Sequence, residues 1–487
     1  MGHRKPMVVA IAAVTLGLVL PGLASAAGYA LNEQSAHASG TANAGAGANV
    51  ENASILYFNP AGMSRLPQGT QISFGAAVLN VDPKAKDITA TDALGRPVDG
   101  SNGGDFIDTA VIPNFYVTHT MGDFAAGVGV YVPFGLTSDY DDDFAGRYLA
   151  DETEIQAISI SPSFAFNINE QLSLGVSMNI MYGEGKLTRY QDFTSALASN
   201  LDLFPGGIAE ARGAAAALFD PNPGYFDVEG DDWELGWTIG ALYSPTKNTH
   251  LGLTYRSKVD FDLRGDASLT NAPNISSIMA VLGGGTPTAP LFSNEKGGAS
   301  VPLTTPESVT FSLRHDFNDQ WTLLAGATWT RWSRFEALDI FSTSSSSAYI
   351  QQLGSIKYEG PLIGHVEENF NNTWSFAVGA LYHLNESWTL KAGYAFDESA
   401  VSDTYLTARV PSSDRQWLTL GAQWKDQESG WTVDAAFGYL IIDDVKVNEY
   451  ERTVNDEIIG VDGIRTNYRA KYEIDAWGAG LQVSKRF

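Results

Sequence analysis

Six short polar turns, each followed by a strand of alternating residues, constrain this chain more than any other feature. They read THTMGDF at 118–124, NINEQL at 167–172, SPTKNTHL at 244–251, DFNDQW at 316–321, HLNESW at 383–388 and WKDQESGW at 424–431. Several of the strands that follow share a wording: QLSLGVS, QWTLLAGA, SWTLKAGY and GWTVDAAFGY. Much longer connections lie between the short turns, around 81–108, 191–230, 266–300, 336–366 and 443–470. The six turns join twelve strands into hairpins. One strand before the first, about 70–80, and one after the last, about 471–487, make fourteen.

The alternation has a period of two. Trp233, Leu235, Trp237, Ile239, Ala241 and Tyr243 point one way, against Glu234, Gly236, Thr238, Gly240 and Ser244. In the next strand Leu251, Leu253, Tyr255, Val259, Phe261 and Leu263 oppose Thr254, Arg256, Lys258, Asp260, Asp262 and Arg264. Trp388, Leu390, Ala392, Tyr394 and Phe396 repeat the pattern. A soluble sandwich also alternates, but its strands run to about 5–6 residues. Longer, tilted strands with short turns on one side and long loops on the other describe a transmembrane barrel. Trp321, Trp388, Trp424 and Trp431 sit beside the short turns, and Trp233, Trp374 and Trp417 near the long-loop ends, which gives two aromatic girdles. The terminal Phe487, with Val483, Leu481 and Trp477 on the same parity, resembles the last-strand signal of bacterial barrels. Lys485 departs from that signal and is expected to snorkel at the interface. The expected fold is an all-β, 14-stranded antiparallel transmembrane barrel in the outer membrane of a Gram-negative bacterium.

Export is written at the start. MGHRK supplies a basic region, Met7 to Leu20 an apolar one, and LASA the small residues that a signal peptidase reads. That apolar run is too short for a membrane anchor. Cleavage before Ala27 makes 1–26 a signal peptide and removes Arg4 and Lys5, leaving 28 basic against 56 acidic residues. Such a balance argues against nucleic acid or an anionic membrane surface as a partner. With no cysteine, the chain has no disulfide framework and no thiolate metal site.

A barrel of fourteen strands lies between the eight that side chains fill and the 16–18 that leave a channel. Residues 27–66 precede the first strand and are rich in small residues, SAHASGTANAGAGANVENAS, which suits an N-terminal hatch packed inside the lumen of a barrel spanning 67–487. In FNPAGM, Asn59 can cap, Pro60 fits the first helical position, and Ala61 and Gly62 allow close backbone approach. The alternative is a disordered exported N-terminus.

The stretches AGYALNEQSAHASGTANAG, FNPAGM, IPNFYV, GVGVYVPFGLTSDYDDDFAGRY, LGLTYRSKVDFDLRGD, TWTRWSRFEAL and GYAFDESAV together resemble the FadL-type (OMPP1/FadL/TodX) outer-membrane transporters of long-chain fatty acids and other hydrophobic compounds. The resemblance covers essentially the whole mature sequence. It implies a hatch-closed barrel whose third strand kinks inward to open a hole in the wall, with Asn59, Pro60, Ala61 and Gly62 of the hatch as a gate beside it. The kink maps to Gly127, Val128 and Gly129, and two glycines with Pro133 in one strand suit a local break in the ladder. Uptake then runs by lateral diffusion through the wall. Its partners are hydrophobic small molecules, outer-membrane lipid and lipopolysaccharide, and the barrel-assembly machinery during biogenesis. The resemblance also suggests a monomer.

Two long extracellular insertions are candidates for first capture. One carries Leu197, Leu201, Leu203, Phe204, Leu218 and Phe219, the other Ile275, Ile278, Met279, Leu282 and Phe292. The alternative is that these residues form each loop's own small core. Reading a carboxylate head group calls for bases. Lys186, Arg189, Arg256, Lys258 and Arg331 are candidates, or members of a neutralising lumen network beside Asp260 and Asp262. Glu184 and Asp339 stand where the resemblance leads one to expect bases, so neutral aliphatic or aromatic hydrocarbons stay open as substrates beside fatty acids. The acidic run Asp139, Asp141, Asp142 and Asp143 has its glycine at the wrong spacing for an EF-hand and reads as a solvated loop. No Ser or Asp forms a recognisable catalytic set with any of the seven histidines, so neither enzyme chemistry nor a cofactor is expected. A general porin is disfavoured by the hatch.

Overall fold

The computed structural model describes residues 28–198, 204–219, 224–272, 294–343, 362–452 and 465–487. The strand segments are β1 (Gly69–Thr91), β2 (Ala110–Met121), β3 (Phe124–Asp139), β4 (Glu152–Asn167), β5 (Leu172–Gln191), β6 (Gly224–Thr246), β7 (Thr249–Arg256), β8 (Val259–Thr270), β9 (Glu295–Thr305) and β10 (Ser308–Asp316). They continue with β11 (Trp321–Thr330), β12 (Ala337–Ser342), β13 (Leu362–Glu367), β14 (Thr373–His383), β15 (Trp388–Asp397), β16 (Arg415–Asp426), β17 (Trp431–Ile442), β18 (Val445–Tyr450) and β19 (Asn467–Arg486). Five traverses are interrupted, so β7 continues into β8, β9 into β10, β11 into β12, β13 into β14 and β17 into β18. The nineteen segments therefore make fourteen antiparallel traverses, and β1 pairs with both β2 and β19 to close the barrel.

Closure leaves no free edge strand, and the backbone groups of the ring are paired strand to strand without water except at a local break between β2 and β3. The outward face is a belt of exposed apolar side chains, among them Phe74, Met178, Leu235, Phe311, Val378 and Leu420. Such a continuous apolar surface is stable only against lipid. Trp321, Trp388 and Trp431 rim its short-turn side and Trp233, Trp374 and Trp477 its loop side. Lys485 lies 5.0 Å above the Trp431 ring and donates to the Ser429 carbonyl, so its stem covers the girdle while its charge reaches the turn.

The structure shifts three expectations. The long connections are shorter than expected, because β1 runs on to Thr91 and β6 starts at Gly224. Beyond the bilayer no lipid demands an apolar outward face, so the alternation fades while the ladder continues. Secondly, the traverse of β7 and β8 changes phase at Ser257–Lys258. Leu251 and Leu253 face outward, whereas Val259, Phe261 and Leu263 are buried inside. Thr238 pairs with Arg256 but Asp231 with Arg264, a slip of one residue between the two stretches, and such a slip inverts every side chain beyond it. Thirdly, Trp417 faces the lumen and not the girdle, between the exposed Leu418 and the opposite strands, where its ring packs on Gly438.

Residues 28–66 carry helices Ala36–Ser39 and Ile55–Phe58 and a 3₁₀ helix, Pro60–Arg65. They pack against the inward faces of strands all round the ring. Gly47 N–H donates to Ser312 Oγ on β10, Ser35 Oγ to Gln482 on β19, and Tyr116 Oη on β2 to the Gln34 carbonyl. Charges hold the same segment at its centre. Glu51 pairs with Arg314 on β10 at 2.9 Å and with Lys425 on β16, while His37 meets Asp434 on β17 at 3.1 Å.

Candidate functional site: the break in the third traverse and the lumen cavity

Between β2 and β3 the ladder is regular from Met121–Phe124 to Asn114–Tyr131 and then stops. Ala110–Pro113 of β2 keep only their pairing with β1, and β3 shifts register against β4 between Tyr131 and Phe134. Pro133 explains the position, since it has no N–H to give to a ladder and sits in sheets at bulges. The break therefore lies beyond Gly127, Val128 and Gly129. Gly127 pairs with Thr118 and Ser163, and Gly129 with Tyr116 and Ser161, in unbroken ladders, while Val128 faces outward. The two glycines serve a different purpose. A β-carbon on either would stand about 3 Å from Leu56 of the N-terminal segment (2.9 and 3.0 Å), so they make room for it.

The backbone freed at the break is taken up by the first residues of that segment. Leu31 N–H donates to the Pro133 carbonyl (3.0 Å), Gly135 N–H to the Tyr29 carbonyl (2.8 Å), and Gln34 Nε2 to the Val132 carbonyl (2.7 Å). Ala30 thereby pairs with Phe134 as a short antiparallel bridge. Tyr29 is held by rings on both sides of the lumen: Phe134 at 5.6 Å, Trp332 at 4.9 Å and Phe335 at 5.4 Å between centroids. Trp332 and Phe335 belong to the stretch between β11 and β12, which turns inward there.

Asn59, Pro60, Ala61 and Gly62 lie elsewhere. Asn59 Oδ1 caps the 3₁₀ helix by accepting from Ala61 N–H at 3.1 Å, and its Nδ2 donates to the carbonyls of Gly47 and Ala241. Pro60 and Ala61 press on Gly175 of β5, and Asn59 on Gly240 of β6, at glycines where a β-carbon would overlap them. Gly62 packs beside Ile55 within the segment itself. The element that covers the break is thus Tyr29–Gln34, and the Asn-Pro-Ala element seats the segment on β5 and β6.

A cavity of about 230 Å³ fills the lumen beside this arm and is lined by Pro133 and Phe134 at the break. At about 30 Å³ per water it has room for roughly eight waters. Its wall mixes aromatic rings (Phe58, Phe134, Trp332, Trp417) with hydroxyls of β10, β11 and β14. Among the described residues its charged lining is Glu33, Arg256 and Asp397. Asp397 pairs with Arg415 at 3.2 Å, and burial pushes the Glu33 carboxyl up to about 7. Arg256 donates to the Tyr57 carbonyl at 2.9 Å and lies 4.2 Å over the Tyr57 ring, with no carboxylate partner among the described residues.

A family model described as "Outer membrane protein transport protein (OMPP1/FadL/TodX)" matches residues 17–487. The chain belongs to this family. The long-chain fatty acid transport protein of Escherichia coli K12 is 28% identical over 428 residues, covering 87% of this chain and 90% of its own. Putative outer membrane protein NMB0088 of Neisseria meningitidis serogroup B is 30% identical over 468 residues, 95% of each. Among solved structures, a Pseudomonas aeruginosa FadL homologue superposes with a TM-score of 0.78 at 24% identity, covering 95% of this chain and all of the other. The Pseudomonas putida toluene transporter TodX gives 0.61 at 17%, covering 94% and 99%. Family and lipid-facing belt together place the protein in the outer membrane.

Within this OMPP1/FadL/TodX barrel the five candidate bases separate sharply. Lys186 is paired with Glu152, and Lys258 with Asp260 at 2.7 Å, both on the outward face above the membrane belt. Arg189 meets Glu451 at 3.4 Å in the loop-side compartment, and Arg331 meets Glu307 at 3.1 Å at the interruption of its traverse. Arg256 alone of the five lines the cavity. Glu184 shares the outward face with Tyr182, whose ring lies on Trp233, so its charge does not enter the lumen. Asp339 accepts from His365 at 2.7 Å.

Of the capture residues, Phe204 is buried in the core of its own loop region with Phe193 and Leu197. Leu203, Ile275, Ile278, Met279 and Leu282 lie outside the described residues, as do the side chains of Leu218 and Phe219 in helix Ile208–Phe219. Sequence reasoning missed Tyr29, Leu31, Gln34, Glu33 and Trp417. Only Pro133 signalled the break at its true position.

Proposed function

We propose that this outer-membrane barrel takes up long-chain fatty acids or similar hydrophobic molecules by binding and passage, without catalysis, and releases them sideways through the break beside Pro133. The observation that carries this reading is that the lumen cavity reaches Pro133 and Phe134, where, among the described residues, the arm Tyr29–Gln34 takes up the freed backbone. The centre of the hatch is tied down by buried charges, so the arm is the easier element to displace. Release into water costs an apolar chain about 0.8 kcal/mol per CH₂, whereas release into the bilayer costs nothing comparable. Relatives transport long-chain fatty acids and toluene, and Arg256 favours the substrate with a carboxylate. Glu33 and Asp397 in the same cavity favour the neutral alternative.

The route is tested by a crosslink. Ala30 and Phe134 face each other as a pair flanked by the two bridge hydrogen bonds, a geometry with Cα atoms about 4.5 Å apart that accepts a disulfide. Ala30→Cys with Phe134→Cys, in a chain without other cysteines, is expected to lose uptake when oxidised and regain it on reduction. Equal uptake in both states would exclude this route.

A further inference from the structure

We infer that residues 398–414, between β15 and β16, form a gate across the loop-side mouth of the barrel, latched by Arg409, and that a hydrophobic substrate enters the lumen when this strap swings aside. The inference rests on the reading above that the barrel takes up such molecules, and it adds an entry gate to the exit beside Pro133. The strap contains no helix or strand, yet its middle, from Leu406 to Val410, is buried, with Ala408 0% and Arg409 1% exposed. Connections ordinarily run over the surface, because a buried one must find partners for its own backbone groups.

Where those partners stand decides what the strap does. β15 and β16 are the eleventh and twelfth traverses and β4 and β5 the fourth and fifth, so seven steps of the ring of fourteen separate them in either direction. Arg409 nevertheless donates from Nη1 to Thr153 Oγ1 of β4 at 2.8 Å and from Nη2 to the Thr188 carbonyl of β5 at 2.9 Å. The strap therefore reaches across the full diameter of the mouth. Beside this contact Tyr140 Oη, just beyond β3, donates to the Ala408 carbonyl at 2.6 Å, and Ala408 N–H donates to Glu449 Oε2 of β18 at 2.7 Å. Leu406 and Val410 join Tyr140, Phe144, Leu149 and Tyr472 in one apolar cluster.

The two ends of the strap differ in how they are held. At its base the Ser399 and Ser412 hydroxyls meet at 3.2 Å and Ser399 N–H donates to Asp414 at 2.8 Å, which keeps both ends together on one side of the ring, as a hinge requires. On the far side the guanidinium of Arg409 is met by a hydroxyl and by carbonyls, with no carboxylate partner among the described residues, and its Nε has no partner there. These are weaker partners than a carboxylate, so the contact holds a cover shut without locking it. The base also touches the roof of the lumen cavity. Asn371 N–H donates to the Ala400 carbonyl at 2.7 Å, and the neighbouring Phe370 ring lies 6.0 Å from Trp332, which lines the cavity.

The test uses the full barrel, which has no native cysteine. Arg409→Gln should raise the association rate of a labelled long-chain fatty acid with the purified barrel in bilayer discs about tenfold. Loss of two net hydrogen bonds is of that scale, and a cover that is open more of the time admits more encounters. Arg409→Lys, which keeps the charge but not the fork, should lie between. Separately, Thr153→Cys with Arg409→Cys, bridged by a bis-methanethiosulfonate as long as the arginine side chain, should cut uptake by intact cells at least tenfold, and reduction should restore it. Heat-modifiable migration on a gel checks that each variant keeps its barrel. An association rate that is unchanged or lower in Arg409→Gln, or equal uptake in bridged and reduced cells, would make the strap a fixed brace and overturn the inference. If the unaltered protein neither binds nor takes up the acid, the transport reading itself fails, so the two failures are distinguishable.

Discussion

Lys391 on β15 and Asp434 on β17 meet inside the barrel at 2.7 Å with both side chains fully buried, and His37 of the N-terminal segment 28–66 completes the contact. Gln423 also donates to Asp434 at 2.8 Å, and Lys391 to the His37 carbonyl at 3.0 Å. This joins the N-terminal segment to three strands through buried charges. Breaking one partner of such a pair leaves an uncompensated charge and costs about 3–5 kcal/mol, whereas replacing both by apolar residues is far milder. Asp434→Asn should therefore loosen the hatch, seen as faster hydrogen exchange over residues 36–49 and as new conductance in planar bilayers. Lys391→Met combined with Asp434→Leu should recover most of both. Unchanged exchange in the single variant would mean that packing, and not this pair, holds the hatch.

Gly129 makes a second case. A β-carbon there stands 3.0 Å from Leu56 and 3.0 Å from Tyr116, so Gly129→Val pushes on the hatch and leaves the break itself alone. Overpacking of this kind costs about 1–3 kcal/mol. The expected result is altered uptake that Leu56→Ala partly restores in the double variant. Loss of uptake with no response to Leu56→Ala would return the opening to Gly129.

Arg256 bears on substrate choice. Its guanidinium is met by a carbonyl and an aromatic face, both weaker partners than a carboxylate. Arg256→Gln should weaken a long-chain carboxylate by about 1.5–3 kcal/mol, roughly 10- to 150-fold, and leave a hydrocarbon of equal length nearly unchanged. Equal losses for the two ligands in a displacement assay would reduce Arg256 to a support for Tyr57.

Glu33 adds a pH dependence. Burial raises its carboxyl to about 7, so it is neutral below that pH and negative above it. A long-chain alkyl sulfate keeps its own charge throughout and should bind more weakly at pH 8 than at pH 6. The expected difference is about 1 kcal/mol, roughly fivefold, for like charges in one cavity. Glu33→Gln should flatten the profile. A slope that persists in that variant would place the titrating group elsewhere.

Much of this was legible in one dimension. Asn-rich turns such as NINEQL and HLNESW, alternating tryptophans and leucines, and the terminal Phe487 determine a fourteen-stranded barrel, because lipid and tight turns impose their demands residue by residue along a single chain. The cap made by Asn59 and the break favoured by Pro133 are local for the same reason. The tertiary structure alone decided which way residues face once a traverse is interrupted. The slip at Ser257–Lys258 turned Lys258, Asp260 and Asp262 outward and Phe261 inward; the run Trp417–Leu418–Thr419–Leu420, with a large apolar side chain on each face, could be phased only by its pairing with β15 and β17. Likewise, that Gly127 and Gly129 receive Leu56, and that Tyr29 and Leu31 complete β3, depend on contacts between residues roughly seventy to a hundred positions apart. Phase and docking are set by neighbouring strands through hydrogen bonds that a sequence does not display, and in this barrel they choose the residues that line the cavity.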